Sequence, residues 1–350
     1  MKLFQYALSL LLLFFSLTTF AQEKQVSSKS EKINETIAHH LLDDYYFTLF
    51  KDEKENKTYG FPLPIILVDQ GVKIFSSSAF IQGNQLAKQG DNYYILDHNK
   101  IYKADANGQK IMVNGKPVKP FDFSITKSVV GLLFIAFLLF LVFTRLAKSY
   151  KKDPTKVPSG MGRLLEPLIL YVRDEIAKPN IGTKYKQYMP YLLSVFFLIW
   201  TVNILGLTPF GFNITGNISV TFCLALLTLI IVNGKGTKSY WQHILWMPGV
   251  PYPVRLILLP IEVLGIFTKG LSLMIRLYAN NVAGHTVIMG LIAIIFLLNE
   301  EFTVGGSISI SLLLTLFIYI IKILAAFLQA YIFTILSALF IGQAVEEHQH

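Results

Sequence analysis

The feature that most constrains this chain is a series of apolar runs too long for a soluble core. Val254 to Leu298 and Ile308 to Ile341 each exceed the ~20 residues one upright helix needs to cross a bilayer. Shorter runs at Thr126 to Leu146, Pro190 to Thr208 and Ile214 to Val232 are each long enough for one span. Only 15% of the 350 residues are charged, against about 25% in ordinary soluble domains. The pattern predicts a mainly α-helical, polytopic membrane protein with about five membrane-embedded helices. The two longest must tilt, break or lie partly in the interface. Pro260, Gly265 and Gly270 offer places to bend.

Two further segments are predicted. In residues 160–178, Leu164, Leu165, Leu168, Ile169 and Val172 mix with Arg163, Glu166, Arg173 and Asp174. That suits an amphipathic helix on the membrane surface. Residues 22–125 are polar and contain no spanning segment. Short β-like runs at Ile65 to Val68, Val72 to Phe75, Tyr93 to Leu96 and Lys110 to Val113 are punctuated by Asn107-Gly108 and Asn114-Gly115. They predict a small β-rich domain, with residues 31–55 helical or flexible before it. His39, His40, Asp43 and Asp44 read as solvated helix residues rather than metal ligands.

The N-terminus reads as a cleaved secretory signal over residues 1–21. Lys2 precedes an apolar stretch, Leu8 to Phe15, and Ala21 ends a small-residue cleavage site. Residues 22–125 are then extracytoplasmic, 126–345 form the membrane domain, and 346–350 are a cytoplasmic tail. Basic residues agree with this orientation. Arg145, Lys148, Lys151, Lys152, Lys156 and Arg163 follow the first span, and Lys235 and Lys238 follow the third. Residues 209–213 carry no base, and 299–306 carry only Glu300 and Glu301. The expected location is the cell inner membrane, multi-pass. The net charge of +9 is explained by these loops, so no nucleic-acid partner is expected. The single cysteine, Cys223, lies in an apolar run and is expected to be buried packing. No Walker-type glycine loop, nucleophile motif or metal-spaced cluster is present. The chain is therefore not expected to hydrolyse ATP alone, nor to hold a cofactor or metal.

The chemically informative residues are ionisable groups inside apolar runs. A charge at the bilayer centre costs about 2.5–3.5 kcal/mol on insertion scales, which folding alone does not repay. They are Glu262, Lys269, Arg276, His285 and Lys322, with Ser272, Asn280 and Gln329 as polar companions. At 100° per residue, Lys269 falls about 20° from Arg276, and Ser272, Asn280 and Glu262 within about 40°. They make one polar stripe, with Gly265, Ala279 and Ala283 giving room for another helix. His285 points about 180° away, to a different surface. Lys322 and Gln329, seven apart, share a face of the last helix. Arginine cannot be neutralised at working pH. Facing a protonatable carboxylate, it would favour the ionised form and block direct proton leakage between two paths.

Ser272 to His285, SLMIRLYANNVAGH, resembles the signature S-L-x-x-R-L-x-x-N-x-x-A-G-H of subunit a of F-type ATP synthases. Pro260-Ile261-Glu262 is similar to the family's P-I-E, Asn203 to Pro209 to N-L-L-G-L-x-P, and Ala326 to Thr334 to A-x-x-Q-A-Y-V-F-T. The resemblance spans about residues 125–345. It implies that Arg276 is the essential arginine facing a c-ring carboxylate, with Asn280 and Gln329 ordering the polar path. It implies that His285 belongs to the extracytoplasmic half-channel and Glu262 lies toward the cytoplasmic one. The implied partners are the c-ring, the subunit b peripheral stalk, membrane lipids and protons, with Na⁺ open because the ring site largely decides the ion. Two departures stand out. Lys322 occupies a position where the family commonly has Glu or His, and is either a proton relay of lowered pKa or a fixed cation. Lys269-Gly270 stands where a basic residue is often followed by Pro, which changes a local bend. An ion-coupled secondary transporter is the alternative function, though no internal repeat supports it. A plain membrane anchor would not need Arg276, Glu262 and Lys322.

Overall fold

A computed structural model describes residues 43–52, 57–82, 86–97, 99–152, 160–208, 214–246, 251–298 and 304–345. The signal segment, His39, His40, Lys156, Glu300, Glu301 and the C-terminal tail lie outside these residues.

The N-terminal part is built of short antiparallel strands. Strands β1 (Tyr46–Asp52) and β2 (Lys57–Pro62) pair, with Phe47 stacked on Phe61 at 4.6 Å. β3 (Pro64–Val68) lies between β4 (Val72–Ser76) and β10 (Phe121–Asp122). After the short helix α1 (Ser78–Gln82), β5 (Leu86–Gln89), β6 (Asn92–Asp97) and β7 (Lys100–Ala104) form a second sheet. β8 (Met112–Val113) and β9 (Lys116–Pro117) close a hairpin. Its turn uses Asn114 and Gly115 at φ 52 and 73, the left-handed pair expected of an Asn-Gly hairpin. Ile65, Leu67, Phe80 and Tyr94 form the buried core between the sheets. Asp69 accepts from the Tyr94 hydroxyl and pairs with Lys103 Nζ, both at 3.0 Å. Burial alone would raise the Asp69 pKa, but the Lys103 ammonium and the Tyr94 hydroxyl together hold it below the usual carboxylate value.

Residues 46–52 were expected to be helical or flexible and are a strand. Its pairing partner, β2, is a separate stretch of chain and is invisible to local helix propensity. Asp43 and Asp44 are likewise not solvated helix residues.

The membrane part begins at α2 (Lys127–Lys152). After α3 (Met161–Tyr171), a π-helical turn over Val172–Ala177 leads into α4 (Lys178–Ile181). The expected amphipathic segment is therefore helical. Its second half is buried in protein, because Val172, Ile176 and Ala177 are inaccessible within the main core. Gly182, at φ 70, makes the turn into α5 (Tyr185–Gly206). α6 (Ile218–Gly234) is followed, across a bend of 102°, by α7 (Lys238–Leu245). Thr237 caps α7 through the Tyr240 amide, and this short helix was not predicted. α8 (Tyr252–Leu298, 47 residues) and α9 (Val304–Val345, 42 residues) complete the chain. α8 continues through Pro260, Gly265 and Gly270 as one helix. At 1.5 Å per residue it extends about 70 Å, more than twice a ~30 Å hydrocarbon core. Among the described residues, four helices are long and apolar enough to cross a membrane, or five if α6 and α7 count as one bent span.

α8 packs on α6 and α9, and α9 on α5 and α4. Close approach is possible because α9 turns Ala326, Ala330, Ala338 and Ala344 inward. Phe196, Phe197 and Phe333 fill the space between them. Tyr191 and Thr228 hydroxyls meet at 2.6 Å and tie α5 to α6. Gly270 admits Leu229, whose side chain would collide with any Cβ there. The Lys269-Gly270 departure thus makes room for packing against α6. Cys223 was expected to be buried and is exposed, on a side of α6 shared with Phe222, Leu226, Leu227 and Ile230. In a membrane helix an apolar run marks contact with lipid as readily as burial.

Asp43 joins the two parts. Its Oδ1 accepts from the Ser128 amide in the first turn of α2 at 3.1 Å. Its Oδ2 accepts from Asn217 Nδ2 at 2.7 Å, and Asn217 is the N-cap of α6, accepting from the Ser219 amide. The Asp44 carbonyl accepts from the Lys127 amide at 2.9 Å. One carboxylate therefore serves two helix N-termini, whose amides lack intrahelical acceptors and favour an anion. Asp43→Ala is expected to cost about 2 kcal/mol by stranding these donors. Hydrogen–deuterium exchange at Ser128 should then accelerate roughly thirtyfold, and unchanged exchange would show that the clasp contributes nothing.

Candidate functional site

The site lies along the seam where α8 and α9 run antiparallel. α8 carries Glu262, Lys269, Ser272, Arg276 and Asn280, and α9 carries Lys322, Gln329 and Gln343. Spacings of seven residues keep 262, 269 and 276, and likewise 322, 329 and 343, on one side of each helix. Leu273 and Leu277, each 1% exposed, anchor the packed side of α8. Ile257, Ile261, Leu264, Leu271 and Ile275 are exposed on its other side. Arg276 stands at the border between the two.

The guanidinium of Arg276 has few partners. Nη2 donates to Ser272 Oγ at 3.5 Å, a long bond. Nη1 is shielded from solvent and has no acceptor among the described residues. Next along the seam, Asn280 Nδ2 donates to Gln329 Oε1 at 3.4 Å. Gln329 is 5% exposed, and its Nε2 is a second buried donor without an acceptor among the described residues. Orphaned buried donors are rare and costly, and two lie within one stretch of this seam. The geometry brings Arg276, Ser272, Asn280 and Gln329 together as one polar group.

At one end, Lys269 Nζ donates to Gln343 Oε1 at 3.2 Å and lies 5.2 Å from the centre of the Phe340 ring. Here a cavity of about 250 Å³ is lined by Glu262, Lys269, Gln343, Ser239, Tyr240 and His243. The bend after α6 brings α7 over α8 and delivers the last three. Tyr240 is held by donating to Asn233 Oδ1 at 3.1 Å. Gln343, His243, Tyr240 and Ser239 were missed in the sequence. Gln343 stands fourteen residues after Gln329, so its heptad spacing was available as a signal. His243 had no such spacing, because Gly234, Gly236 and the cap Thr237 announce a break but not the angle that carries the next helix over α8.

At the other end, Lys322 lies against the α8 backbone. A Cβ at Gly284 would come within 2.8 Å of Lys322 Cε and 3.1 Å of Nζ. The glycine leaves room for the lysine tip, which a Cβ there would displace. His285 is the next residue of α8, and its side chain lies outside the described residues. From Arg276 the Glu262–Lys269 end is about 10–20 Å away along α8, and the Gly284 end about 12 Å in the opposite direction.

The family described as ATP synthase A chain matches residues 130–342, the whole membrane part. The chain belongs to the ATP synthase subunit a family. It is similar to ATP synthase subunit a of Chlorobium phaeobacteroides, 41% identical over 281 residues, covering 77% of this chain and 79% of that protein. Subunit a 2 of Chlorobaculum tepidum is 40% identical over 265 residues, with 73% of each chain covered. Subunit a of Chloroherpeton thalassium is 40% identical over 248 residues, covering 69% of this chain and 71% of its own length. The β-rich part, residues 36–123, matches a separate domain family of unknown function. Membership places the chain in the ATP synthase complex of a membrane, as a multi-pass helical subunit.

Proposed function

We propose that this subunit is the ion-translocating stator of an F-type ATP synthase, with Arg276 as the fixed charge between two access paths. The observation that carries this reading is the position of Arg276: a permanent cation at the edge of an exposed helix face, with one Nη buried and lacking an acceptor among the described residues. A carboxylate on a rotating c-ring supplies the missing acceptor. Its proton must leave before the ion pair can form, because the arginine favours the ionised form. Asn280 and Gln329 hold the polar path beside it. The cavity at Glu262, His243 and Lys269 is the cytoplasmic access path, and the Lys322–His285 end is the extracytoplasmic one. Protons are the transported ion, the catalytic ATP sites lie on other subunits, and subunit b of the peripheral stalk holds this chain against torque. The exported N-terminal extension lies outside and the C-terminus inside.

The test is disulfide trapping. Ala279 is exposed and stands about 60° round α8 from Arg276, on the outward side. Ala279→Cys is expected to cross-link to a cysteine placed one turn from the ring carboxylate. A chain that purifies without a ring and transports solute alone would replace this reading with a secondary transporter.

A further inference from the structure

The sheet formed by β10, β3 and β4 has its polarity reversed on one face. Inward, Ile65 and Leu67 are fully buried. The outward face of a half-buried antiparallel sheet normally alternates to polar residues. Here Phe121 pairs with Val68, Val68 with Val72, and Ile66 with Ile74. Phe123 donates its amide to the Ile66 carbonyl at 2.9 Å, placing it opposite Ile66. Cross-strand partners and residues two apart share a face, so all six side chains lie together. Phe121 is 76% exposed, Phe123 67%, Ile74 67%, Val72 66% and Val68 37%. The two phenylalanines alone expose on the order of 250 Å² of aromatic surface. Contiguous apolar surface of this kind marks a contact.

What it contacts follows from the chain's path. Beyond Asp122 the strand keeps its pairing, with the Ile125 amide donating to the Pro64 carbonyl. The spanning helix α2 then starts at Lys127. Even fully extended, Phe123 is no more than about 14 Å from that start. The Lys127–Asp44, Ser128–Asp43 and Asn217–Asp43 hydrogen bonds fix the domain to two helix ends. Thus the Phe123 end of the apolar face is tethered close to the start of α2. Phenylalanine is among the side chains that interfacial segments bury about 5–10 Å into the headgroup–acyl boundary. Further along the chain, α2 carries exposed apolar side chains of its own at Leu133, Phe134 and Phe137.

We propose that this sheet face, Phe121, Phe123, Val68, Val72, Ile66 and Ile74, rests on the lipid headgroup–acyl boundary beside α2. The β-rich domain is then a membrane-seated platform over the helix ends, not a body projecting freely into solvent. This needs only that α2 spans the membrane, and is independent of the ion path proposed above.

The test places nitroxide labels at Phe121→Cys, Phe123→Cys and Ile74→Cys in a Cys223→Ser background. Asn107→Cys, in the exposed turn after β7, is the solvent reference. The full chain is used in its complex, in liposomes of phosphatidylcholine and phosphatidylglycerol. At the three face positions the ratio of oxygen to nickel-chelate collisions is expected to be at least about fivefold higher than at 107. A ratio equal to that at 107 at all three positions would overturn the proposal. So would shielding from both reagents that disappears when other subunits are stripped away, since a protein then covers the face. Ile74 lies on a different strand from the phenylalanines, so a local defect in β10 does not leave the question open.

Discussion

Arg276→Ala is expected to abolish ATP-driven acidification of inverted membrane vesicles while the complex assembles normally. Two consequences of losing the guanidinium argue for a large effect. The ring carboxylate loses its counter-charge, so a unit charge facing the seam is left unpaired, at a cost of several kcal/mol. Each 1.36 kcal/mol is a factor of ten in rate, so a hundredfold or greater loss of coupled pumping follows. The barrier between the two access paths also disappears, so the membrane should leak protons when no ATP is present. Packing is largely spared, because Leu273 and Leu277 hold the buried side of α8 and the hydrogen bond of Arg276 to Ser272 is long. Arg276→Lys keeps the charge but loses the fork of donors, and should retain assembly with little pumping. Full pumping by Arg276→Ala at matched assembly would remove α8 from the ring interface.

The parts of this protein that were legible in its sequence are those where a residue violates its surroundings. Arg276, Lys269, Glu262 and Lys322 interrupt apolar runs, so their unusual position could be read directly, as could the face of α8 that the first three share and the face of α9 that Lys322 shares with Gln329. The separation of Asn280 from Gln329, forty-nine positions apart, could not be read from spacing. It became legible only through the family resemblance, and their hydrogen bond agrees with it. The errors have a common origin. α6 is apolar almost throughout, its buried face being marked by little more than Thr221 and Thr228, and Cys223 was assigned to the wrong side. Asp43 looked like an ordinary solvated acid because its partners, Ser128 and Asn217, are distant in the chain and polar only by backbone amide and a single side chain. His243 reaches the Glu262 cavity through a 102° bend at Gly234–Lys238, whose glycines mark a break without fixing its angle.

Gly342→Val is expected to prevent assembly of the membrane part. Gly342 lies in α9, where a Cβ would run into the backbone carbonyl of Asn180 at the end of α4. A clash with the tip of a flexible side chain is relieved by a rotamer change, but this one requires a backbone to move. The local backbone is not free to do so. Asn180 Nδ2 donates to the Ile176 carbonyl at 2.8 Å, Ile176 is inaccessible, and Gly182 makes its positive-φ turn two residues later. On the other side, Ile341 and Ala344 are also inaccessible, and the Thr237 amide donates to the Ala344 carbonyl at 2.9 Å. Overpacking of a well-filled interior typically costs about 1–3 kcal/mol, and a collision between backbones belongs at the upper end. Moving α9 outward would also separate Gln343 from Lys269 and Gln329 from Asn280, so the site loses its geometry before the fold is lost. The expected reading is a loss of the subunit from purified complexes at 37 °C. Gly342→Ala is the milder variant, and at reduced temperature it should assemble with impaired pumping. Normal assembly and pumping by Gly342→Val would mean that α9 does not pack on α4 this closely, and that the seam with α8 is set by other contacts.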